Sequence, residues 1–248
     1  MDDNDSPSND NEGHLQETKT PNTNIIPLTF KKIKQEKEPS PDPKNNIPLI
    51  NLPPVTKILL GLIIAIHGIV TLVFSNDLAY QTYIHFGFIP GRFTGAVLFE
   101  PLAILTPVTH MLLHGSWMHL AMNAIMLMAF GTGIERWIGG KRMLLLFIVS
   151  SLCGIGLQFG LSPQSIIPVI GASGGLSGLF AAALIMIHKK QNVYGQKTRY
   201  GIWPFIFLWI GVSLVFGFLG SPDGNAVAWA AHIGGFIGGF GILKLMKI

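Results

Sequence analysis

Six apolar segments, each close to the length needed to cross a lipid bilayer, constrain this chain more than any other feature of its sequence. A helix needs about 20 mostly apolar residues to span the hydrocarbon core. Beyond residue 50 the chain holds four acidic and eleven basic residues, a composition typical of a multi-pass membrane protein. The sequence thus predicts an all-α polytopic membrane protein. Its predicted spans lie near 56–75, 116–134, 142–160, 167–187, 202–219 and 226–245.

The positions of Lys and Arg predict how these spans are oriented. Basic residues lie before span 1, between spans 2 and 3, between spans 4 and 5, and after span 6, whereas the alternate connections hold only Arg92. Because cytoplasmic loops carry the excess of Lys and Arg, both termini are predicted to lie in the cytoplasm. The start of the chain lacks the pattern of a cleavable secretory signal. These features suit a bacterial inner membrane.

Two segments differ in composition from the predicted spans. The first 50 residues hold nine acids and six bases among Asn, Ser and Pro, a composition typical of disorder. We therefore predict a disordered cytoplasmic tail over 1–51 and a six-helix membrane domain over 52–248. The segment from about 76 to 115 is long and rich in aromatic residues and proline. We expect this long outer loop to lie in the outer membrane interface.

Polar side chains recur at a common depth in three spans. A polar group buried in hydrocarbon is costly unless it is paired, so such residues are functional candidates. His119 and Asn123 share one face of span 2, Ser173 lies in span 4 and His232 in span 6. Measured from the predicted outer ends, Ser173, His232 and Asn123 lie about 8–10 Å deep and Ser177 about 14 Å deep. We expect the first three to meet in one layer.

Glycines accompany these polar residues. Gly174 follows the serine directly, and Gly235 and Gly239 lie three and seven residues after His232, on its face of span 6. Small residues at such spacings let helix backbones approach closely. Spans 4 and 6 are therefore predicted to be neighbours. Ser177 lies on the same seam, and we interpret it as a packing residue.

A serine beside a histidine is a nucleophile beside a general base. The oxyanion formed during attack on a carbonyl needs donors, which Asn123, His119 and the Ser173 backbone N–H could supply. No carboxylate lies at a matching depth, so the pattern predicts a Ser173–His232 dyad without a third acid. Each residue alone has a structural alternative: a hydrogen bond to the carbonyl four residues back, helix adhesion, or core packing. Their shared depth favours the catalytic interpretation.

These motifs, in this order, resemble the rhomboid family of intramembrane serine proteases over about residues 54–245. The family pattern is His-x-x-x-Asn, here 119–123, Gly-x-Ser-Gly, here Gly171 to Gly174, and Ala-His followed by glycines, here 231–235. A Gly-x-x-x-Glu-x-x-x-Gly turn at 131–139 also fits. The resemblance implies a six-transmembrane-helix rhomboid bundle with Ser173 as nucleophile and His232 as general base. It also implies no metal or cofactor, no nucleic acid, and a membrane-embedded enzyme that cleaves single-span transmembrane proteins.

Two positions depart from the family pattern. Ser177 stands where the family often has an aromatic residue that packs on the catalytic histidine. Leu105 and Thr106 stand where the outer segment of the family commonly has a Trp-Arg pair. The support of the His232 ring and the structure of the outer segment are therefore the points at which this chain is expected to differ.

Several of these features have other interpretations. A non-catalytic relative that retains membrane clients is disfavoured by the intact dyad, and a transporter would need polar clusters in both halves, which spans 3 and 5 lack. His110, His114 and His119 have a spacing that suggests a metal site, but no acid or Cys accompanies them. A structural Glu135–Arg136 ion pair is expected in a cytoplasmic turn.

Substrate access has two possible routes. Span 5, or the Gly-rich loop at 220–225, could move laterally to admit a substrate. The aromatic residues of span 5 could equally face lipid, and the sequence leaves these alternatives open.

Overall fold

The computed structural model describes residues 51–193, 200–220 and 227–248, and these ranges are predominantly helical. A π-helical turn, Leu127–Gly131, joins the helix Trp117–Met126 to the helix Thr132–Ile138, so the two form one continuous helix. Short 3-10 turns occupy Pro90–Arg92, Pro101–Leu105 and His110–Leu112. The predicted tail, except for its last residue, and residues 221–225 of the predicted mobile loop lie outside the described ranges. The helices are α1 (Pro54–Leu72), α2 (Asn76–Phe86), α3 (Thr106–Thr109), α4 (Trp117–Met126), α5 (Thr132–Ile138), α6 (Gly140–Leu161), α7 (Ser173–Val193), α8 (Trp203–Leu219) and α9 (Trp229–Leu245).

Several helices have the length and apolar surface of membrane segments. Pro54–Leu72, Trp117–Ile138 and Gly140–Leu161 are long and apolar enough to cross a membrane, and α8 is a shorter apolar helix of 17 residues. Large apolar side chains project from the helix surfaces: Phe207 and Phe218 of α8 are 66% and 78% exposed. A helix of a water-soluble protein would expose polar residues there. The all-helical, membrane-type architecture is therefore confirmed, and the six crossings remain a prediction.

Helix α7 begins later than the sequence suggested. Span 4 was predicted to start near 167, but Ser173 is the first helical residue. Before it, Val169 exchanges two backbone hydrogen bonds with Phe88, of 2.8 and 3.0 Å, in an antiparallel bridge. Gly171 then adopts a φ of +120°, a value that L side chains rarely accept. The predicted start of span 4 was wrong because this bridge and this glycine stop the helix from extending backwards.

Glu135 caps the N-terminus of α1. Pro53, at the N-cap position, makes no side-chain hydrogen bond to the helix. The Glu135 carboxylate instead accepts hydrogen bonds from Val55 N at 2.9 Å and from Thr56 N and Oγ1 at 2.7 and 2.8 Å. A carboxylate at a helix N-terminus satisfies free N–H groups and interacts favourably with the helix dipole.

The expected Glu135–Arg136 ion pair was wrong. Within the described residues no salt bridge joins the two side chains. Arg136 Nη2 donates to the Asn51 carbonyl at 2.5 Å instead. Neighbouring acidic and basic residues in sequence suggested a local pair, but each side chain of this turn contacts the chain around the start of α1.

A buried arginine organises the outer segment between α1 and α4. Arg92 is 4% exposed, and its Nη1 donates to the Ile84 carbonyl at 2.8 Å. Its Nη2 lies 3.6 Å from Glu100 Oε1, while Glu100 Oε2 lies 2.7 Å from His85 Nδ1. This network joins the end of α2 to the chain that follows. Arg92, which precedes Leu105 and Thr106 in the chain, thus binds a backbone carbonyl within the outer segment.

Glycines bring α7 and α9 into backbone contact. A Cβ added to Gly239 would lie 2.6 Å from Gly178 Cα, and one added to Gly235 would overlap the Gly174 carbonyl oxygen. Distances this short leave no room for any side chain. The predicted adjacency of spans 4 and 6 is confirmed, and Gly174, Gly235 and Gly239 are the packing positions that create it.

Candidate active site

Ser173 and His232 meet where α7 and α9 begin. Ser173 Oγ lies 2.9 Å from His232 Nε2, within hydrogen-bonding distance. His232 is the fourth residue of α9, which starts at Trp229 rather than near 226 as predicted. Both helices start later than expected, so the two side chains remain level. The predicted depths were wrong because they were measured from helix starts that lie too early in the chain. Ser173 and His232 do lie side by side.

The position of Ser173 has a chemical consequence. The first N–H groups of a helix have no intrahelical acceptor and point outward at its positive end. Ser173 is the first residue of α7, so its own N–H belongs to this set. A negative charge that develops next to Ser173 Oγ would therefore be close to helix N–H donors.

Ser177, the second serine of the repeated Gly-x-Ser-Gly pattern, has a different environment. Its side chain is fully buried, and Oγ donates to the Ser173 carbonyl, four residues back, at 2.7 Å. A bond of this kind to the preceding turn is the structural alternative to catalysis for a serine in a helix. The two serines are thus distinguished by their partners: a histidine for Ser173 and its own helix for Ser177.

The His119 ring and the Ser173 hydroxyl both lie close to Gly171. A Cβ added to Gly171 would lie 2.8 Å from His119 Nε2 and 3.7 Å from Ser173 Oγ. Any side chain at Gly171 would therefore collide with the imidazole, in addition to the strain of its positive φ. The glycine leaves space in which the His119 ring of α4 reaches the chain just before α7.

Asn123 is directed partly toward its own helix. Its side chain is 3% exposed, and Nδ2 donates to the His119 carbonyl at 2.8 Å. An amide nitrogen carries two hydrogens, so one N–H remains beyond that bond. Within the described ranges Asn123 Oδ1 is buried without a hydrogen-bond partner. The structure thus brings His119 to Gly171 and Ser173, and it places Asn123 one turn further along α4.

His110 contributes to the site in a way that the sequence did not reveal. Its carbonyl accepts a hydrogen bond from Gly171 N at 2.9 Å, and its ring Nδ1 donates to the Thr106 carbonyl at 3.1 Å. Burial lowers the pKa of His110 to about 4, so the ring is neutral and Nε2 can accept from Ser151 Oγ, 3.3 Å away. His110 therefore links the outer segment, α6 and the residues before Ser173.

His114 packs behind His119. The two imidazole centroids are 5.1 Å apart in an edge-on arrangement. The His114 carbonyl accepts hydrogen bonds from His67 Nδ1 and Tyr83 Oη, both at 3.0 Å. Burial lowers the pKa of His114 to about 3, with the neighbouring His119 and His67 adding to the effect. The two hydrogen bonds to the His114 carbonyl thus hold the chain just before α4, where the sequence had suggested only a metal-like spacing.

The described residues offer no metal centre. Across residues 51–193, 200–220 and 227–248, no group of three His, Cys, Asp or Glu side chains is arranged to hold an ion. His110 instead bonds to Thr106 and Ser151, and His119 adjoins Gly171.

Comparison with known proteins connects this geometry to a family. The family model described as Rhomboid domain matches residues 103–247. The chain is 34% identical over 137 residues to the rhomboid protease GluP of Bacillus subtilis (strain 168), covering 55% of this chain and 24% of GluP. It is 27% identical over 178 residues to the putative rhomboid protease YdcA of the same organism, covering 72% of this chain and 83% of YdcA.

A plant relative extends the comparison. RHOMBOID-like protein 5 of Arabidopsis thaliana is 34% identical over 137 residues, which cover 54% of this chain and 42% of that protein. The chain therefore spans less than half the length of GluP and of this plant relative. The Rhomboid domain match takes in α3 to α9, and with them Ser173 and His232, over more than half of the 248 residues. The chain belongs to the rhomboid family.

Proposed function

We propose that this protein is an intramembrane serine endopeptidase in which Ser173 is the nucleophile and His232 the general base. The observation that carries this proposal is the 2.9 Å separation of Ser173 Oγ and His232 Nε2 at the start of α7. A neutral imidazole at that distance can accept the hydroxyl proton. The names of the matched bacterial relatives, GluP and YdcA, support a protease rather than a different activity of the same site.

The chemistry follows the acyl-enzyme route. His232 Nε2 takes the proton of Ser173 Oγ as the oxygen attacks the carbonyl carbon of the scissile peptide bond. The imidazolium then gives that proton to the leaving amine, the C–N bond breaks, and the acyl group remains on Ser173. Water attacks this ester while His232 takes its proton, and the proton returns to Ser173 Oγ as the carboxylic product leaves.

Three N–H donors are available to stabilise the oxyanion. The Ser173 backbone N–H lies at the positive end of α7. His119 Nε2 adjoins the same glycine as Ser173 Oγ, and the second N–H of Asn123 Nδ2 is one turn away on α4. Each donor that stabilises the developing charge can contribute about 3 kcal/mol to catalysis. His119 and Asn123 are therefore assigned to oxyanion stabilisation.

The substrates we propose are single-span transmembrane proteins, cut near the outer face of the bilayer. A scissile bond inside a helix has its carbonyl engaged in a backbone hydrogen bond, so the substrate helix must unwind locally before attack. We place both termini of this chain in the cytoplasm of a bacterial inner membrane, following the distribution of Lys and Arg. Six crossings then put the start of α7 and of α9 on the outer side.

The test is cleavage of a single-span substrate by the purified full-length protein in liposomes. We expect cleavage by the wild type and a loss of about a thousandfold or more in Ser173→Ala and in His232→Ala. Ser177→Ala is the matched control, because it removes a serine hydroxyl one turn away on the same helix.

Two outcomes would overturn the proposal. Cleavage that survives Ser173→Ala would remove Ser173 as the nucleophile. Binding of several single-span proteins by the wild type, without cleavage of any, would favour a protein that retains membrane clients.

A further inference from the structure

Among the residues that the structure describes, the ring of His232 lacks two of the supports that a catalytic histidine commonly has. Within the described residues no Asp or Glu side chain forms a salt bridge with it. Ser177, on the neighbouring helix, is too short to pack against the ring, and its hydroxyl is bonded to the Ser173 carbonyl. A base without a carboxylate that fixes its orientation depends on packing to hold the ring at the nucleophile.

An aromatic side chain from another helix lies beside this ring. Trp209 of α8 has its ring centroid 6.3 Å from that of His232, with the two planes inclined at 41°. This separation is within the 4.5–7 Å range of interacting ring pairs. Ser173 is thus aligned by α7 and its histidine by α9, while the neighbouring ring comes from α8.

Trp209 is itself held by other rings. Its ring centroid lies 4.9 Å from that of Phe180 of α7. The Phe180 centroid lies 5.2 Å from that of Phe130 and 5.9 Å from that of Phe236 of α9. Within the described residues the indole N–H is buried without a hydrogen-bond partner. Ring packing therefore fixes Trp209 through Phe180, which belongs to the same helix as Ser173.

We propose that Trp209 is a positioning residue that holds the His232 imidazole in the orientation that reaches Ser173 Oγ. This inference rests on the proposed serine protease function and adds a residue from outside the three motif helices. It also accounts for the difference from the family pattern at Ser177, because the aromatic side chain that supports the histidine comes from α8 in this chain. A ring displaced by 1 Å can lower the rate of the chemical step up to about a hundredfold.

The test measures how fast Ser173 reacts with a small fluorophosphonate in the full-length protein. Ser173 Oγ forms a bond to phosphorus, fluoride leaves, and His232 takes the hydroxyl proton, so the rate depends on the histidine and not on docking of a transmembrane substrate. We expect Trp209→Leu to slow this reaction about tenfold or more, and Trp209→Phe, which keeps a ring, to remain within about threefold of the wild type.

Trp203→Leu is the matched control on the same helix. Trp203 is 62% exposed and stacks on Phe207 rather than on His232. Its substitution should leave the fluorophosphonate rate unchanged. If Trp209→Leu fails to fold, as judged by thermal unfolding in detergent, Trp209→Met takes its place and the same loss is expected, because methionine fills volume without a flat ring.

A role in substrate access would give a different pattern. If α8 served only to admit substrates, Trp209→Leu would react with the fluorophosphonate at the wild-type rate and change only the cleavage of a transmembrane substrate, an outcome that overturns the inference. Slow labelling of Trp209→Phe equal to that of Trp209→Leu would also overturn it. A wild type that neither labels nor cleaves would instead contradict the proposed function itself.

Discussion

Helices α7 and α9 are interlocked by glycines, whereas α8 lies against its neighbours with little burial. Eight residues of α9 are buried, but in α8 only Ser213 is, so the two helices of equal length have different surroundings. A Cβ at Gly235 of α9 would overlap the backbone of α7, while a Cβ at Gly211 of α8 would meet no atom within 4 Å. The interlocked helices carry Ser173 and His232, and α8 contributes a supporting side chain.

This difference shows how the two side chains of the candidate dyad are held rigidly while one side of the site can adjust. Backbone contacts through glycine allow almost no relative movement of α7 and α9, so the Ser173–His232 distance is set by the packing of main chains. Side-chain contacts of an exposed helix can be broken at lower cost. A movement of α8 would take Trp209 with it and leave the helices that hold the dyad in place.

The largest effect is expected from Gly235→Ala. The added methyl group overlaps the Gly174 carbonyl oxygen, which is backbone and cannot move aside. We expect a loss of stability of more than about 3 kcal/mol and a parallel loss of cleavage, measured by thermal unfolding in detergent and by substrate proteolysis. Gly241→Ala on the same helix, where a Cβ meets nothing, is the control. Equal stability of the two variants would show that α7 and α9 are not interlocked here.

A smaller loss of stability is expected from Glu135→Gln. This variant tests whether the N-terminus of α1 is held as rigidly as the contact between α7 and α9. The amide keeps one acceptor oxygen but presents N–H groups to donors at Val55 and Thr56. We expect a stability loss of about 2 kcal/mol, measured in the same unfolding experiment. Arg136→Gln, which removes a neighbouring charge from the same turn, should cost less than about 1 kcal/mol. A larger loss in the arginine variant would contradict the capping role of Glu135.

Ser177→Ala should have a modest effect. The substitution removes one hydrogen bond, to a carbonyl that belongs to the same helix, and keeps the Cβ that fills the seam. A change in stability of at most about 1 kcal/mol is expected, with cleavage retained. The experiment compares proteolysis by this variant with that by Ser173→Ala. Loss of cleavage in both would mean that the hydroxyl of Ser177 takes part in the reaction.

The smallest effect, of opposite sign, is expected from Gly211→Ala in α8. No atom lies within 4 Å of the added Cβ, and alanine is the better helix former. We expect a gain in stability of up to about 1 kcal/mol in thermal unfolding. A loss as large as that of Gly235→Ala would mean that α8 is packed as tightly as α9, and the contrast between the two helices would then be invalid.

Much of the candidate site could be predicted from the sequence because its residues are of types that stand out in apolar segments. Ser173, His119 and His232 are polar residues within apolar segments, and helical periodicity shows which of them share a face. The glycine spacing after His232 also predicted that spans 4 and 6 are neighbours, since small residues at these intervals have few other uses in apolar helices. The family resemblance rests on these same motifs.

The start of α7 could not be predicted in this way. The apolar run continues through residues 167–172, and hydropathy does not distinguish an apolar helix from an apolar extended segment. The bridge between Phe88 and Val169 and the positive φ of Gly171 decide it. The same holds for Glu135, whose partners at Val55 and Thr56 are 80 and 79 residues away in the chain.

The sequence by itself determined the apolar helices, the candidate dyad and the glycine seam, because each leaves a local pattern of composition or spacing. Only the tertiary structure decided that Ser173 begins its helix, that Glu135 caps α1 and that Trp209 lies beside His232. Contacts of this kind join residues that are distant in the chain. Their energies depend on how whole helices pack, and no short stretch of sequence records that packing.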